Sequence, residues 1–599
     1  MNILSKAAGM LSPREKRSGL LLILLSILKG LSDLVGVASI LPFLRVLSEP
    51  ELVRSNATFK RVYDWFGFED TSDFLFVMGL AVIALLVLSA ALRAVTVYAI
   101  NRWVEMREYY LSRRLLETYL RQPYEYYLDR NTSDMATAIL NFARNVVIGV
   151  YKPVADISNS LITFIFIVSF LVWMNPLVTI ASVAFIAGSY LALYLGLRGY
   201  IRRIGELVLR TSRARYRAVN ETLTGVKHVK LTGRERFYLG EFSTPALEQA
   251  RARAIAVTLN QIPRFGLEVM AFGGIIVLTL ILFQRSDGAS GETLPLIGLY
   301  ALASYRIMPL IQQVYSSASI LRVSGPIVDA VYEDLRGKSE LPRLPAMTDQ
   351  SDRLSGRIEF KNVGYKYPSA SASGIKDVSF LIEKGMSVGV VGPTGAGKTT
   401  LIDLFLGLLD PSSGVIEIDG TALSPENVRN WQASVGYVPQ EIHLNDTSVA
   451  RNIAIGLPED EISRDQLEAA AKMARIHDFI VTELEDGYDT EIGERGVRLS
   501  GGQRQRFGIA RALYHNPDVI VFDEATSALD NATEAEVMQA INDLSKDKTI
   551  LMIAHRISTI ENCDRIMVLE QGELTGFDTY PEIAANHPTF RKLKSQAAE

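Results

Sequence analysis

Gly392-Pro-Thr-Gly-Ala-Gly-Lys-Thr-Thr400 follows the apolar run Ser387-Val-Gly-Val-Val391 and leads into a second one, Leu401-Ile-Asp-Leu-Phe-Leu406. The order is strand, glycine-rich loop, helix, the context in which G-x-x-x-x-G-K-T spacing makes a phosphate-binding loop. Gly392, Gly395 and Gly397 let backbone N–H groups turn inward around phosphate oxygens. The helix starting near Lys398 aims its positive end at the same anion. Lys398 is placed to reach the β- and γ-phosphates and the Thr399 hydroxyl to ligate Mg²⁺. Thr394, Ala396 and Thr400 complete the expected nucleotide contacts. The competing reading, a glycine turn that merely joins strand to helix, does not account for the full spacing in this context. The pattern implies a bound nucleoside triphosphate.

Outward from the loop, the chain is segregated. Its 599 residues call for more than one domain, and 48% hydrophobic content with a mean hydropathy of +0.16 is high for a chain with 21% charged residues. The net charge of −4 gives no global sign of nucleic-acid binding. Cys563 is the only cysteine, which excludes an intrachain disulfide framework and fits a reducing cytosolic face. The first apolar run is too long for a cleavable signal peptide and lacks a small-residue cleavage site.

Six stretches, near 19–44, 74–100, 157–175, 177–197, 263–284 and 294–322, are long enough to cross a bilayer core, which needs about 20 helical residues. Basic residues crowd before the first (Lys6, Arg14, Lys16, Arg17), between the second and third (Arg102 to Arg144), and between the fourth and fifth (Arg198 to Lys230). By the positive-inside rule both chain ends and these two long loops face the cytosol. Both loops are amphipathic and rich in helix formers, so the membrane helices are expected to continue into the cytosol. Turn-like breaks at 126–133 and 220–227 suit docking on another domain. The outer stretch 45–72 reads either as a short amphipathic helix around Phe59-Lys-Arg-Val-Tyr-Asp-Trp-Phe66 or as an irregular loop.

Ionisable groups within membrane segments are functional candidates. Arg93, Arg264 and Arg306 qualify; for Arg93 and Arg264 the alternative is snorkelling to the cytosolic headgroups. Arg306 lies 12 residues into its segment, roughly 18 Å deep. Arginines lining one cavity would grip the phosphate oxygens of an anionic headgroup. Lys29 and Asp33, four apart, can pair on one helix face.

Residues 337–355 carry prolines and polar residues without periodicity and read as a linker between a membrane domain, 1–336, and an α/β domain, 356–599. In the latter, Tyr367, with Tyr365 as the fallback, offers an aromatic face for adenine. Val519-Ile-Val-Phe-Asp523-Glu524 is a strand ending in two carboxylates: Asp523 for the Mg²⁺ shell, Glu524 as general base on the attacking water. Gln440, after the strand Ser434–Val438, is placed for the metal or its water. His555, after the strand Thr549–Ala554, is placed for the γ-phosphate. Ser500, Gly501, Gly502 and Gln503 open a helix and make a second anion-binding end.

Gly392–Thr400, Gln440, Leu499-Ser-Gly-Gly-Gln503, Asp523-Glu524, Ser527-Ala-Leu-Asp530 and His555 together resemble the nucleotide-binding domain of ABC transporters over roughly 356–590. The resemblance implies ATP and Mg²⁺ as cofactors, Asp530 among the nucleotide contacts, and a homodimer in which each ATP lies between one chain's Lys398 loop and its partner's Ser500–Gln503. Glu491-Ile-Gly-Glu-Arg-Gly496 is similar to the exporter segment that meets the cytoplasmic loops. The fold implied is multidomain: an all-α six-helix transmembrane domain of the type IV exporter kind, then an α/β P-loop domain. Ala91-Leu-Arg-Ala94, Ile262-Pro-Arg-Phe-Gly-Leu-Glu268 and Ser304-Tyr-Arg-Ile-Met-Pro309 are similar to segments of bacterial lipid-linked oligosaccharide flippases of the PglK type. That implies Arg93, Arg264 and Arg306 as substrate contacts, a lipid-linked anionic substrate, and a place among the lipids of the cytoplasmic (inner) membrane. An external helix after the first membrane helix is also a feature of that group.

Overall fold

A computed structural model of the protein describes residues 3–598 except 129, 131, 175, 286–292, 337–355, 368–373, 494–498, 526–533, 535–536, 540, 542–547 and 555; side chains of some further residues, Arg264 among them, are also outside the described set. The expectations for the linker 337–355, for Ser527–Asp530, for His555, for 494–496 and for the Arg264 side chain therefore lie outside the described residues. Two compact units emerge, one from Met1–Arg121 with Thr132–Pro342, the other from Gln122–Asn131 with Arg343–Glu599. The tip 122–131, which the sequence places between two membrane helices, belongs with the second unit.

The first unit is helical. α1 (Pro13–Ala38) starts at a capping box, in which Ser12 Oγ accepts from Glu15 N–H at 3.3 Å and Ser12 N–H donates to Glu15 Oε2 at 2.6 Å. Ser39 breaks the run, and α2 (Ile40–Ser48) continues it. α3 (Ala57–Phe66) decides the outer stretch in favour of a helix. Asn56 caps its start, Gly67 ends it with φ +69°, and Phe59 and Tyr63 pack on a small core of Val46, Val53 and Phe74. Long helices follow: α4 (Thr71–Leu120), α5 (Lys152–Met174), α6 (Pro176–Thr224), α7 (Glu235–Arg285) and α8 (Thr293–Val323). α4 has 50 residues, about 75 Å at the helical rise and more than twice a bilayer core.

Among the described residues, Pro13–Ser48, Thr71–Leu120 and Asp134–Met174 are long and apolar enough to cross a membrane. The expected break at 220–227 shrinks to Gly225. Asn220–Thr224 finish α6, where Thr222 Oγ1 satisfies itself on Ala218 O, and Val226–Thr232 is a short helix of its own. Helices α1 and α5 approach closely at Gly30, where a Cβ would lie 2.8 Å from the Phe166 ring. Val37, Leu41, Ile167, Leu171, Leu299, Ala303 and Ile307 fill the space between α1, α2, α5 and α8.

The second unit has two sheets. The first, antiparallel, has the order β2 (Ile375–Ile382), β1 (Ile358–Tyr365), β4 (Ser413–Ile418), β5 (Thr421–Ala422). The second has the order β10 (Glu573–Asp578), β9 (Arg565–Glu570), β3 (Ser387–Val391), β8 (Thr549–Ile553), β7 (Val519–Asp523), β6 (Val435–Val438), parallel throughout except for the β9–β10 hairpin. Every residue of β3 and β8 is buried, as a parallel sheet covered on both faces requires. That is why these strands read in the sequence as continuous apolar runs rather than alternating ones. α9 (Lys398–Phe405) lies in one of the two apolar cores, with Trp431 at its end: the indole Nε1–H donates to Phe405 O at 2.7 Å and the ring meets Phe405 edge-on at 5.5 Å.

Trp431 is fully buried and both packed and hydrogen-bonded, so Trp431→Ala is expected to destabilise this unit by about 3–5 kcal/mol. Thermal unfolding of the full-length variant beside the wild type checks this, and an unchanged Tm would contradict it.

Candidate functional site

The loop Gly392–Gly397 leaves the C-terminal end of β3, at the centre of the parallel sheet, and α9 begins at Lys398. Gly397 holds φ +100°, and a Cβ there would meet Gly374 O at 2.6 Å; Gly395, at φ +79°, has open space where a Cβ would go. One glycine is therefore demanded by the fold and the other leaves the loop face clear for a ligand. Lys398 Nζ donates to Gly392 O at 2.8 Å and Pro393 O at 3.3 Å, which ties the ammonium across the mouth of its own loop. Burial draws the Lys398 ammonium below the usual lysine range, against the opposing pull of Glu524 and Asp523.

Parallel register brings the carboxylates to the same edge. Val438 of β6 is opposite Phe522 of β7, and Val390 of β3 is opposite Ile553 of β8, so the residues that follow each strand emerge side by side. Gln440 Nε2 donates to Glu524 Oε2 at 2.6 Å. Glu524 sits at φ +51°, a left-handed conformation that costs a non-glycine residue energy, and its N–H is fixed to Ile553 O at 3.1 Å. Asp523 Oδ2 accepts from Tyr437 O–H at 3.2 Å. Thr399 is exposed at the first turn of α9. A hydroxyl, a carboxylate and an amide at the edge of one phosphate loop suit a hard cation that keeps water and phosphate as its remaining ligands.

Tyr367 is half-exposed, with its hydroxyl 2.9 Å from Thr400 Oγ1. Tyr365 stands at right angles to it, ring centroids 5.0 Å apart, but is only 2% exposed. The Tyr365 hydroxyl donates to Glu125 Oε1 at 2.6 Å, and burial first, then that carboxylate, pushes it far above the usual phenol range. Tyr365 is thus a fastening for the 122–131 tip, within the same unit, and Tyr367 is the more exposed of the two rings. Ser500 and Gln503 form a capping box on α10 (Gly501–Leu513): Ser500 Oγ accepts from Gln503 N–H at 3.2 Å, and Ser500 N–H donates to Gln503 Oε1 at 2.7 Å.

Two groups here escape sequence reading. Tyr437 alternates on a strand as any aromatic residue does, and nothing local ties it to Asp523. Asp403, on α9, is pushed up to about 6, first by burial and second by the Asp523 charge.

In the helical unit, Arg93 of α4 and Arg306 of α8 converge. Arg93 Nε is 3.3 Å and Arg306 Nη1 3.9 Å from Asp33 Oδ1 on α1. Lys29 Nζ is 3.5 Å from Asp33 Oδ2, so the expected pair exists but is one part of a larger cluster.

Comparison with known proteins follows the same lines. The profile described as ABC transporter transmembrane region matches residues 40–313, and that described as ABC transporter matches 375–527. An uncharacterised ABC transporter ATP-binding protein of Sinorhizobium fredii is 31% identical over 80% of this chain and 81% of its own length. The ATP-dependent lipid A-core flippase of Pseudomonas aeruginosa is 29% identical over 79% and 77%, and the β-(1→2)glucan export ATP-binding/permease protein of Rhizobium meliloti 36% over 57% and 56%. A solved bacterial Atm1-family ABC exporter with ATP bound shares the fold at TM-score 0.75 over 98% of both chains, at 24% identity.

Asp403 binds its proton more tightly folded than at the ordinary value of 3.8, so stability is lost as pH rises through the interval from there to about 6. Asp403→Asn is therefore expected to raise the Tm of the full chain at about pH 8 and to give no gain at about pH 4. A gain at the lower pH instead would reverse the sign. Tyr365→Phe removes the hydroxyl that Glu125 accepts from; hydrogen exchange of Glu125–Leu128 should quicken about fivefold or more while that of Gly392–Thr400 stays as it was.

Proposed function

This chain belongs to the ABC transporters, and we propose that it uses ATP to flip an anionic, polyprenyl-pyrophosphate-linked oligosaccharide from the cytosolic to the outer leaflet of the cytoplasmic membrane. That it is a membrane-embedded, ATP-hydrolysing transporter follows from both profiles and from its relatives. The observation that carries the substrate reading is the convergence of Arg93 and Arg306, from helices over 200 positions apart in sequence, on one buried carboxylate. Two arginines snorkelling to the headgroups would diverge; these share a site. The names of the relatives, a lipid A-core flippase and a glucan exporter, support cargo of the lipid and glycan class.

In this reading Thr399, Gln440 and Asp523 hold Mg²⁺, which supplies charge neutralisation on the phosphate oxygens. Glu524, oriented by Gln440 and by its constrained backbone, takes the proton of the attacking water. Lys398 and the backbone N–H groups of Gly392–Thr400 hold the phosphates, with His555 at the γ-phosphate, and Tyr367 stacks on adenine. Ser500, Gly501, Gly502, Gln503 and Asp530 act across the interface of a homodimer, so that ATP binding draws two copies together. The basic loops support a cytosolic position for both termini and the ATPase unit. Arg93, Arg264 and Arg306 hold the headgroup while the lipid tail stays in the bilayer. The runner-up is an exporter of other lipids, peptides or drugs on the same engine.

The test uses the full chain in proteoliposomes. Glu524→Gln should lower ATP turnover by about 10²- to 10⁴-fold. Arg306→Ala and Arg93→Ala should each slow transport of a polyprenyl-pyrophosphate-linked glycan about tenfold or more. Transport untouched by both arginine changes, or equal stimulation of ATPase by unrelated peptides and drugs, would favour the runner-up.

A further inference from the structure

Asp33 is 3% exposed and Lys29 6% exposed, both on α1 and inside an apolar helical unit. The shortest described contact of the Asp33 carboxylate is with a neutral group, Ser89 Oγ, which donates to it at 2.7 Å. Its three cations stand further off, at 3.3, 3.5 and 3.9 Å, longer than the contacts of a well-made charged pair. Lys29 gives its hydrogen bond to Thr163 Oγ1 at 3.0 Å, and Arg93 Nε is buried with no hydrogen-bond partner. Asp156, on the same helix as Thr163, is taken up by Gln313 at 3.0 Å and Lys152 at 3.9 Å. Among the described side chains, then, Lys29, Arg93 and Arg306 surround one carboxylate and leave a surplus of two positive charges. A surplus of that kind, with donor capacity unspent, is costly away from water unless an anion joins it.

We propose that this cluster is a headgroup seat in which Asp33 is the resident anion and Lys29 a third cation, so that it selects lipid headgroups carrying at least two negative charges, as a pyrophosphate diester does. The inference rests on the reading above and adds to it the charge rule. Without cargo, Asp33 keeps the three cations gathered and facing one point. With cargo, the guanidinium groups turn their free N–H donors to the phosphate oxygens, Ser89 continues to hold Asp33, and Asp33 repels the headgroup enough to let it leave. A structural ion network that merely fastens α1, α4 and α8 would place the same residues together but would follow no charge arithmetic.

Binding to the full chain in nanodiscs separates the two, with polyprenyl-pyrophosphate-linked N-acetylglucosamine (two charges) and polyprenyl-monophosphate-linked glucose (one charge) as probes. The wild type should prefer the first by about tenfold or more. Lys29→Met should weaken the pyrophosphate probe about tenfold, and Asp33→Asn should tighten it about fivefold or more. The double variant Lys29→Met/Asp33→Asn keeps the surplus of two and should return within about threefold of wild type. Weaker binding by Asp33→Asn, no recovery in the double variant, or equal wild-type affinity for both probes would each overturn the seat. Should Asp33→Asn fail to fold, the double variant and the two-probe comparison still decide. If Arg93→Ala and Arg306→Ala leave both probes unaffected, it is the pyrophosphate reading itself that falls; if they weaken binding and the Lys29 and Asp33 variants do not respond as stated, only the seat does.

Discussion

The parallel pairing of β6, β7, β8 and β3 is what the ATP site depends on. Parallel strands send all their C-terminal ends to one edge, so Gly392, Gln440 and Asp523-Glu524 meet although more than 130 positions of sequence separate the first from the last. The alignment is fixed because every side chain of β3 and β8 is buried, and a slip by one residue would exchange the faces that pack on the two cores. Rigidity of that kind also supports the left-handed Glu524, whose N–H is anchored on the neighbouring strand. Backbone strain at such a carboxylate is sustained where the surrounding lattice of hydrogen bonds leaves no alternative.

The helical unit handles charge differently. Among the described residues one carboxylate gathers Lys29, Arg93 and Arg306, and its own position is set by Ser89 and by packing. Gly30 lets α5 come close enough for Thr163 to take the Lys29 ammonium. Backbone amides are fixed in place by the fold, whereas the side chains around Asp33 can change partners, as the proposed headgroup seat requires.

What the sequence made legible was local. The phosphate loop, the strand ending in Asp523-Glu524 and the Ser500–Gln503 helix start are contiguous motifs, and each occupies the element its context implied. The long apolar runs likewise declared the helices. Contacts set by the tertiary fold were not legible. Lys29 and Asp33 invited a sufficient local explanation, an i,i+4 pair, and nothing nearby in sequence points to Ser89 or Arg306. Tyr365 looked like a spare adenine ring because its partner, Glu125, lies 240 positions earlier. The outer stretch stayed undecided because ten amphipathic residues are marginal as a helix alone; Val46, Val53 and Phe74 supply the surface that settles it. At 220–227 the polar and glycine content suggested a longer turn than one residue, since threonine side chains can serve a helix as well as leave it.

The allegiance of residues 122–131 has a consequence for how the protein can be divided. They are encoded in the midst of the membrane helices yet fold with the ATPase, so that unit is assembled from two separate stretches of chain. A fragment starting at Arg343 contains the phosphate loop and both carboxylates but not Glu125, and it leaves the buried Tyr365 hydroxyl without its acceptor. The engine is not a detachable cartridge: a stretch of it is encoded far from the rest, inside the other unit's span of sequence.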